Sequence, residues 1–137
     1  MRIAVIDGMG GGIGAQIVSQ LRQEIQTKAE IIALGTNATA TDRMLRAGAD
    51  RGASGENAIR VSAESADIIV GPIGIVIPDA MMGEVTAVMA QAVFSSRAEK
   101  FLVPLVQQHF TIVGCEPQPI AGLISELVRK LREKCSA

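Results

Sequence analysis

The sequence contains no tyrosine and no tryptophan, a single histidine and only two cysteines among its 137 residues. One histidine, His109, disfavours a metal site built from histidine ligands. Cys115 and Cys135 have no metal-binding spacing and form no CxxC pair, so we interpret them as reduced thiols without a chemical role. The sequence therefore offers few of the side chains on which metal centres and catalytic sites are built.

The chain also lacks an excess of charge of one sign. Its 13 basic and 14 acidic residues are interspersed and give a formal net charge of −1. Proteins that bind nucleic acids present a basic patch to the phosphate backbone. This balance therefore predicts no nucleic-acid partner.

Long hydrophobic runs are missing as well. The longest apolar-rich stretch, residues 68–78, includes two glycines and two prolines and is too short to span a bilayer. Met1 and Arg2 lead directly into a strand pattern rather than into a leader peptide. We therefore expect no membrane association and a cytoplasmic location.

The residues that are present indicate a compact α/β protein. Hydrophobic residues make up 48% of the chain and occur as aliphatic runs separated by glycine and polar loops. The length suits one domain over residues 1–137 and is too short for a nucleotide-binding domain plus a substrate domain.

Five glycines lie within seven residues near the start of the chain, at residues 8–14, which we call the glycine loop. The apolar run at residues 3–6 before it predicts a buried parallel strand. Apolar residues after it recur at helical spacing from Ile13. A loop almost free of side chains lets backbone N–H groups approach a ligand, and the helix that follows adds its positive dipole end. This arrangement predicts an anion site, most commonly for phosphate.

The spacing of the glycines fits a nucleotide-binding pattern. Gly10-x-Gly12-x-x-Ala15 matches the dinucleotide fingerprint G-x-G-x-x-G/A. It is not a P-loop, because Ala15-Gln16 stands where Lys-Ser/Thr is needed. The alternative is a tight strand-to-helix turn that binds no ligand.

The polar residues around this loop bear on which nucleotide it binds. A second strand is predicted at residues 30–34, and the acidic residue that usually follows it to hold a ribose is replaced by Thr36 and Asn37. With Arg43 nearby, this favours NADP or a different nucleotide over NAD. The alternative for Thr36 and Asn37 is loop and cap chemistry. Asp7 is predicted to orient the loop through its N–H groups, with a ribose or Mg²⁺ contact as the alternative.

Strands and helices continue to alternate along the rest of the chain. Thr39 or Thr41 is predicted to cap a short helix that Gly48 ends. Gly71 and Pro72 are predicted to line the ligand crevice, because strand ends face it in open α/β sheets. The other predicted elements are a loop at residues 49–57, strands at residues 58–61, 67–71, 101–105 and 110–114, and helices from about residues 78 and 119.

The last two predicted strands are joined by a connection of about two residues at Gln107-Gln108. So short a connection cannot make a parallel crossover. We therefore predict an antiparallel hairpin at one edge of the sheet.

The spacing Gly8-x-x-x-Gly12-x-Gly14 resembles the glycine loop of short-chain dehydrogenases, G-x-x-x-G-x-G. That resemblance implies NAD(P) binding and a catalytic Tyr followed by Lys four residues later. The chain has no tyrosine, so the resemblance ends at the phosphate loop.

The whole chain also resembles a family of small bacterial Rossmann-like proteins that is defined only as a domain of unknown function. The resemblance implies the fold and brings no established activity. The segments that carry it are IAVIDGMGGGIG at residues 3–14, IIALGTNA at residues 31–38, SGENAI at residues 54–59 and DIIVGPIGIVI at residues 67–77.

Together these patterns predict a Rossmann-like three-layer α/β sandwich with a mainly parallel sheet and an antiparallel edge hairpin. The predicted ligand is a phosphate-bearing nucleotide, NAD(P) above others. The residues predicted to contact it are Asp7, Gly8, Met9, Gly10, Gly11, Gly12, Ile13, Gly14, Thr36, Asn37, Gly71 and Pro72.

Three functions stay open from the sequence. A non-catalytic sensor or accessory protein is favoured by the scarcity of candidate acids and bases. An oligomeric oxidoreductase-like enzyme with a shared site is the first alternative, and a structural or protein-interaction module without a ligand is the second. A lone domain of this kind lacks a substrate pocket, so we expect a homo-oligomer or a partner. The acid/base groups available to an enzyme are Glu56, Asp79, Glu84 and His109.

Overall fold

The computed structural model describes residues 1–105 and 110–136. Five parallel strands form one sheet in the order β3-β2-β1-β4-β5. This order confirms the predicted α/β fold with a parallel sheet. The strands are β1 Arg2–Asp7, β2 Glu30–Gly35, β3 Arg51–Ser54, β4 Ile68–Pro72 and β5 Glu99–Val103.

Helices cover both faces of the sheet. Helices α1, α2 and α5 pack on one face, and α3 and α4 pack on the other. No helix in residues 1–105 and 110–136 is long and apolar enough to cross a membrane. The helices are α1 Gly12–Ile25, α2 Ala38–Arg46, α3 Glu56–Ser65, α4 Ala87–Ser95 and α5 Ile120–Ser136, and a 3₁₀ turn spans Ile73–Val76.

The apolar run of β1 supplies both halves of the core. Ile3 and Val5 face α1 and α5, whereas Ala4 and Ile6 face α3 and α4, and none of the four is more than 1% exposed. Successive side chains of a strand point to opposite faces, so a central strand must be apolar at every position. This is why β1 reads as an unbroken aliphatic run.

The third strand was predicted in the wrong place. Residues 58–61 belong to α3, where Ile59 and Ala63 are buried at helical spacing. The strand lies instead at Arg51–Ser54, inside the predicted loop, and all four of its residues are exposed. This edge strand forms because it pairs with the buried strand β2. Its own polar sequence does not predict a strand.

The helix predicted from about residue 78 begins nine residues later, at Ala87. Its N-cap is Thr86, whose side chain accepts a hydrogen bond from the Met89 N–H at 3.1 Å. Residues 77–86, which we call the turn segment, form consecutive turns. Its backbone has positive φ at Asp79, Met81, Met82 and Gly83, which no helix can accommodate.

The predicted antiparallel edge hairpin is wrong. Strand β5 ends at Val103, and residues 110–114 form no strand. The predicted connection at Gln107-Gln108 lies outside the described residues. The β-like sequence of residues 110–114 has no strand beside it within residues 1–105 and 110–136, and strand propensity without a partner forms no ladder.

The predicted N-cap of α2, Thr39 or Thr41, is also wrong, because the N-cap is Asn37. Thr41 lies inside the helix, 5% exposed, and its hydroxyl accepts a hydrogen bond from the Gly35 N–H at 3.0 Å. The same hydroxyl lies 3.2 Å from the Ala53 carbonyl and 2.6 Å from the Ser54 hydroxyl. Thr41 therefore ties α2 to the ends of β2 and β3.

Thr41→Val is expected to lower the free energy of unfolding by about 1–3 kcal/mol, because it leaves the buried Gly35 N–H without an acceptor. Urea unfolding measures the change. The matched control is Thr39→Val at an exposed position of the same helix, where about 0.5 kcal/mol or less is expected. Equal effects at the two positions would show that the Thr41 hydroxyl is not required.

Candidate functional site

The sheet order places a crevice at the carboxyl ends of β1 and β4. The chain leaves β1 towards β2 on one side and leaves β4 towards β5 on the other, so the connections diverge between these two strands. Such a switch point is where open α/β sheets bind ligands. The glycine loop follows β1, and the turn segment follows β4 after the 3₁₀ turn.

Asp7 organises the glycine loop from below. Its Oδ1 accepts a hydrogen bond from the Gly8 N–H at 2.8 Å, and its Oδ2 accepts one from the Gly14 N–H at 2.7 Å. The side chain is buried, and burial raises the pKa of Asp7 against the lowering effect of these two donors. The carboxylate thus fixes both ends of the loop.

Three of the five glycines are required by packing within the chain. A Cβ on Gly8 would lie 2.6 Å from both Met81 Sδ and Thr36 Oγ1. One on Gly14 would lie 2.6 Å from Met44 Sδ. Gly11, the N-cap of α1, has a φ of +74° and would place a Cβ 2.7 Å from the Ala40 Cα. These glycines need no ligand to explain them.

The remaining two, Gly10 and Gly12, are not required by packing. The nearest atom to a Cβ on either residue is Nη1 of Arg43, at 3.8 Å for Gly10 and 3.4 Å for Gly12, and neither backbone has positive φ. Within residues 1–105 and 110–136, the N–H groups of Gly10, Gly12 and Ile13 donate no hydrogen bond. The start of α1 therefore presents donors beside an exposed guanidinium group.

Thr36 and Asn37 lie at the end of β2, beside the glycine loop. The Thr36 N–H donates to the Asp7 carbonyl at 3.0 Å. Asn37 Oδ1 accepts from the Ala40 N–H at 2.8 Å, which caps α2, and its Nδ2 donates to the Met9 carbonyl at 2.9 Å. Cap and loop chemistry thus describes part of what these residues do.

Glu84 also belongs to this cluster. Its Oε1 accepts hydrogen bonds from the Thr36 hydroxyl at 2.6 Å, the Asn37 Nδ2 at 2.8 Å and the Met9 N–H at 2.9 Å. The bonds from Thr36 and then Met9 hold the pKa of Glu84 below its usual value. The end of β2 therefore does have a carboxylate beside it, and the turn segment supplies it.

Sequence reasoning missed this contact because it placed Glu84 in a helix. Two signals pointed elsewhere: Pro78-Asp79 and Gly83 are turn formers only a few residues apart. Loops after neighbouring parallel strands also meet at one edge of the sheet. Together they place the only glutamate of this loop near the glycines.

The other candidate residues lie apart from this cluster. Gly71 and Pro72 are buried at the end of β4, and a Cβ on Gly71 would clash with the Ile6 carbonyl, so packing explains that glycine. Glu56 and Asp79 are exposed, on α3 and in the turn segment. His109 lies outside the described residues. No group of three His, Cys, Asp or Glu side chains within the described ranges could hold a metal ion.

A family model described as a domain of unknown function, DUF3842, matches residues 2–136. The chain belongs to the DUF3842 family. This confirms the family resemblance drawn from the sequence, and a DUF3842 domain therefore has the parallel five-stranded sheet described above. No curated protein matches the chain.

Two solved structures resemble this DUF3842 chain. A dodecameric FMN-dependent Ubix-like decarboxylase from Escherichia coli O157:H7 aligns over 100% of this chain and 95% of its own, with 14% identity and a TM-score of 0.58. A universal stress protein in complex with cAMP aligns over 73% of this chain and 94% of its own, with 21% identity and a TM-score of 0.42. At this identity the decarboxylase supports the fold alone, and the second likeness carries no argument.

Glu84→Gln tests whether the cluster holds an ionised carboxylate. Because the folded-state pKa of Glu84 is lowered from about 4.5, ionisation stabilises the folded chain above that pH. The contribution is lost as the pH falls through the folded-state pKa. We expect the variant to be less stable than wild type by roughly 1 kcal/mol at about pH 7, with a smaller difference at about pH 3.5, in urea unfolding.

Asp7 acts in the opposite direction, because its raised pKa stabilises the folded chain below about pH 3.8 and this stabilisation is lost as the pH rises. Asp7 is present in both proteins, and its contribution differs between them only through the Glu84 charge, which adds to the raising of the pKa of Asp7. A stability difference that does not change with pH would contradict an ionised Glu84.

Proposed function

We propose that this domain binds a phosphate-bearing nucleotide, with NAD(P) as the preferred candidate and one of its phosphates on the glycine loop. The observation that carries the proposal is that a Cβ on Gly10 or Gly12 would meet only the exposed Arg43 side chain, at ordinary contact distance. Packing within the chain accounts for Gly8, Gly11 and Gly14 but not for these two. Close approach of a ligand to the backbone accounts for them, and they are the two glycines of the fingerprint.

Electrostatics around these glycines favours an anion. The N–H groups of Gly12 and Ile13 begin a 14-residue helix, whose dipole places partial positive charge there. Arg43 adds a full positive charge, with Nη1 3.3 Å from the Gly10 carbonyl. A phosphate that displaces this weak contact gains a guanidinium partner, which binds phosphate in a two-pronged geometry.

The dinucleotide identity rests on the geometry of the two strand ends. Thr36 and Asn37 lie beside the loop, and a ribose or a 2′-phosphate that displaces Glu84 from them can receive hydrogen bonds from their side chains. An arginine near this strand end supports the NADP form, and Arg43 lies beside the glycine loop. Gly71 and Pro72, at the end of β4, mark the opposite side of the crevice.

A sensor or accessory role fits the site better than catalysis. Both carboxylates at the glycine loop are engaged as acceptors: Asp7 by two N–H groups, and Glu84 by three donors. Asp7 is buried beneath the loop, and the lowered pKa of Glu84 makes it a weaker base than an ordinary glutamate. The domain therefore reports or carries a nucleotide rather than transforming it.

Helix α4 supports a homo-oligomer. Its sequence, AVMAQAVFS, contains no charged residue, yet Phe94 is 66% exposed and Val88 is 45% exposed. Exposed aromatic and aliphatic side chains on an uncharged helix are typical of a surface that a partner covers. A second copy of the chain packed on α4 would bury these side chains.

Binding is tested by thermal shift with NAD⁺, NADH, NADP⁺, NADPH, ATP and coenzyme A, on wild type and Gly12→Ala. A ligand at 100 times its dissociation constant stabilises the folded chain by about 2.7 kcal/mol, a shift of several degrees. We expect the Gly12→Ala methyl group to weaken binding of that ligand at least about tenfold, while the ligand-free protein keeps or gains up to about 1 kcal/mol of stability.

Gly122→Ala is the matched control, because Gly122 is a helical glycine with open space around it, in α5. It should keep the full shift with the same ligand. If a nucleotide raises the melting temperature of wild type and Gly12→Ala equally, it does not bind at the glycine loop. If none of the six compounds changes the melting temperature, the structural or protein-interaction module without a ligand is favoured.

Self-association is tested by light scattering after gel filtration. We expect wild type to be larger than a monomer and Phe94→Glu to be monomeric, because the variant places a charge in the proposed interface. Leu45→Glu, on α2 across the sheet, is the control and should leave the mass unchanged. A monomeric wild type would contradict the proposed oligomer.

A further inference from the structure

We propose that Glu84 is an internal anion that latches the turn segment over the glycine loop and competes with the phosphate of the ligand. The inference rests on the proposed function, because the competitor is the nucleotide phosphate bound there. It assigns a regulatory role to residues 77–86 and identifies the hydrogen-bond donors for which Glu84 and the ligand compete.

Three donors from three parts of the chain converge on one carboxylate oxygen. The Met9 N–H comes from the glycine loop, the Thr36 hydroxyl from just beyond β2, and the Asn37 amide from the cap of α2. A backbone amide, a hydroxyl and a side-chain amide around one oxygen form a site for an oxyanion. In the structure a carboxylate of the same chain occupies that site.

The turn segment is held to the loop by few other contacts. Met81 Sδ packs against Gly8, and a Cβ there would lie 2.6 Å away. At the tip, Met82 is 91% exposed. The turns of the segment close mainly on one another, as between the Asp79 N–H and the Val85 carbonyl at 2.7 Å. The carboxylate of Glu84 is thus the main polar link between the turn segment and the glycine loop.

The backbone of the segment also suits a conformational change. Asp79, Met81 and Met82 have φ between 57° and 65°, a region that non-glycine residues rarely adopt. Each such residue costs free energy and persists only where surrounding contacts hold it. If the Glu84 contacts are lost, this strain favours another backbone conformation.

Phosphate and the Glu84 carboxylate cannot share these donors. Both are acceptors, and two negative charges a few ångströms apart repel each other strongly where solvent is partly excluded. A phosphate on the N–H groups of Gly10 and Gly12 lies next in the chain to Met9, whose N–H is bonded to Glu84. A 2′-phosphate at Thr36 and Asn37 needs the donors that Glu84 now uses. Ligand binding and latch closure oppose each other, and the domain switches between a latched and a loaded state.

A different role for Glu84 makes the opposite prediction. A carboxylate beside Thr36 and Asn37 can accept hydrogen bonds from ribose hydroxyls, as the acidic residue at this strand end does in dinucleotide-binding folds. Removing such a residue would weaken nucleotide binding, whereas removing a competitor would strengthen it. The sign of the change decides between them.

The latch is measured without ligand, by amide hydrogen exchange with NMR detection. The Met9 N–H donates to Glu84, so we expect its exchange to be at least about tenfold faster in Glu84→Ala than in wild type. Glu84→Gln keeps an acceptor oxygen and should stay near wild type. The Gly14 N–H, held by Asp7, should be unchanged in every variant. Unchanged Met9 exchange in Glu84→Ala would overturn the latch.

Competition is measured by titration calorimetry with NADP⁺, inorganic pyrophosphate and uncharged adenosine. We expect Glu84→Ala to bind NADP⁺ and pyrophosphate at least about tenfold more tightly than wild type, with Glu84→Gln in between and adenosine unaffected. Glu64→Ala, at an exposed position of α3, is the control and should match wild type. Weaker or equal binding by Glu84→Ala would overturn the competition.

The two measurements separate this inference from the proposed function. If neither wild type nor any variant binds NADP⁺ or pyrophosphate, nucleotide binding fails and competition fails with it. In that case Met9 exchange still decides whether the latch exists. If NADP⁺ binds and Gly12→Ala abolishes binding, but Glu84→Ala weakens it, the proposed function stands and the inference falls.

Discussion

The two hydrogen bonds that Asp7 accepts hold the end of β1 and the first turn of α1 in one geometry. Burying this carboxylate is unfavourable, and the Gly8 and Gly14 N–H groups offset only part of the cost, since the pKa of Asp7 is still raised. The loop between them then has little freedom, so the N–H groups of Gly10 and Gly12 are held in place before any ligand arrives. The ligand binding proposed for this loop would need no reordering of its backbone, which favours affinity.

A second carboxylate, Glu84, also accepts hydrogen bonds at the glycine loop, but it comes from a distant segment of the chain. Asp7 is buried and lies beneath the loop, whereas Glu84 is half-buried and reaches the loop from the turn segment. The difference in burial is reflected in their pKa values: burial raises that of Asp7, and hydrogen bonds lower that of Glu84. Asp7 fixes the conformation of the loop, whereas Glu84 contacts the loop from a separate segment of the chain.

The sequence predicted the elements whose residues are fixed by their own neighbours. The aliphatic run of β1 and the helical stripe of α1 come from local periodicity and were correct. Strand β3 was missed because a polar edge strand exists only through its pairing with β2. Residues 77–86 were misassigned because their apolar spacing suits a helix, while positive φ and the contacts of Glu84 depend on residues distant in the chain.

By itself the sequence determined the parallel α/β class, the family resemblance and the glycine loop, because each follows from residues adjacent in the chain. Only the tertiary structure showed that Gly8, Gly11 and Gly14 serve packing, while a Cβ on Gly10 or Gly12 would meet only the Arg43 side chain. Only the tertiary structure brought Glu84 to Met9, 75 positions away. Steric demand on a glycine and convergence of donors on a carboxylate depend on distances between segments, and these are fixed only when the sheet assembles.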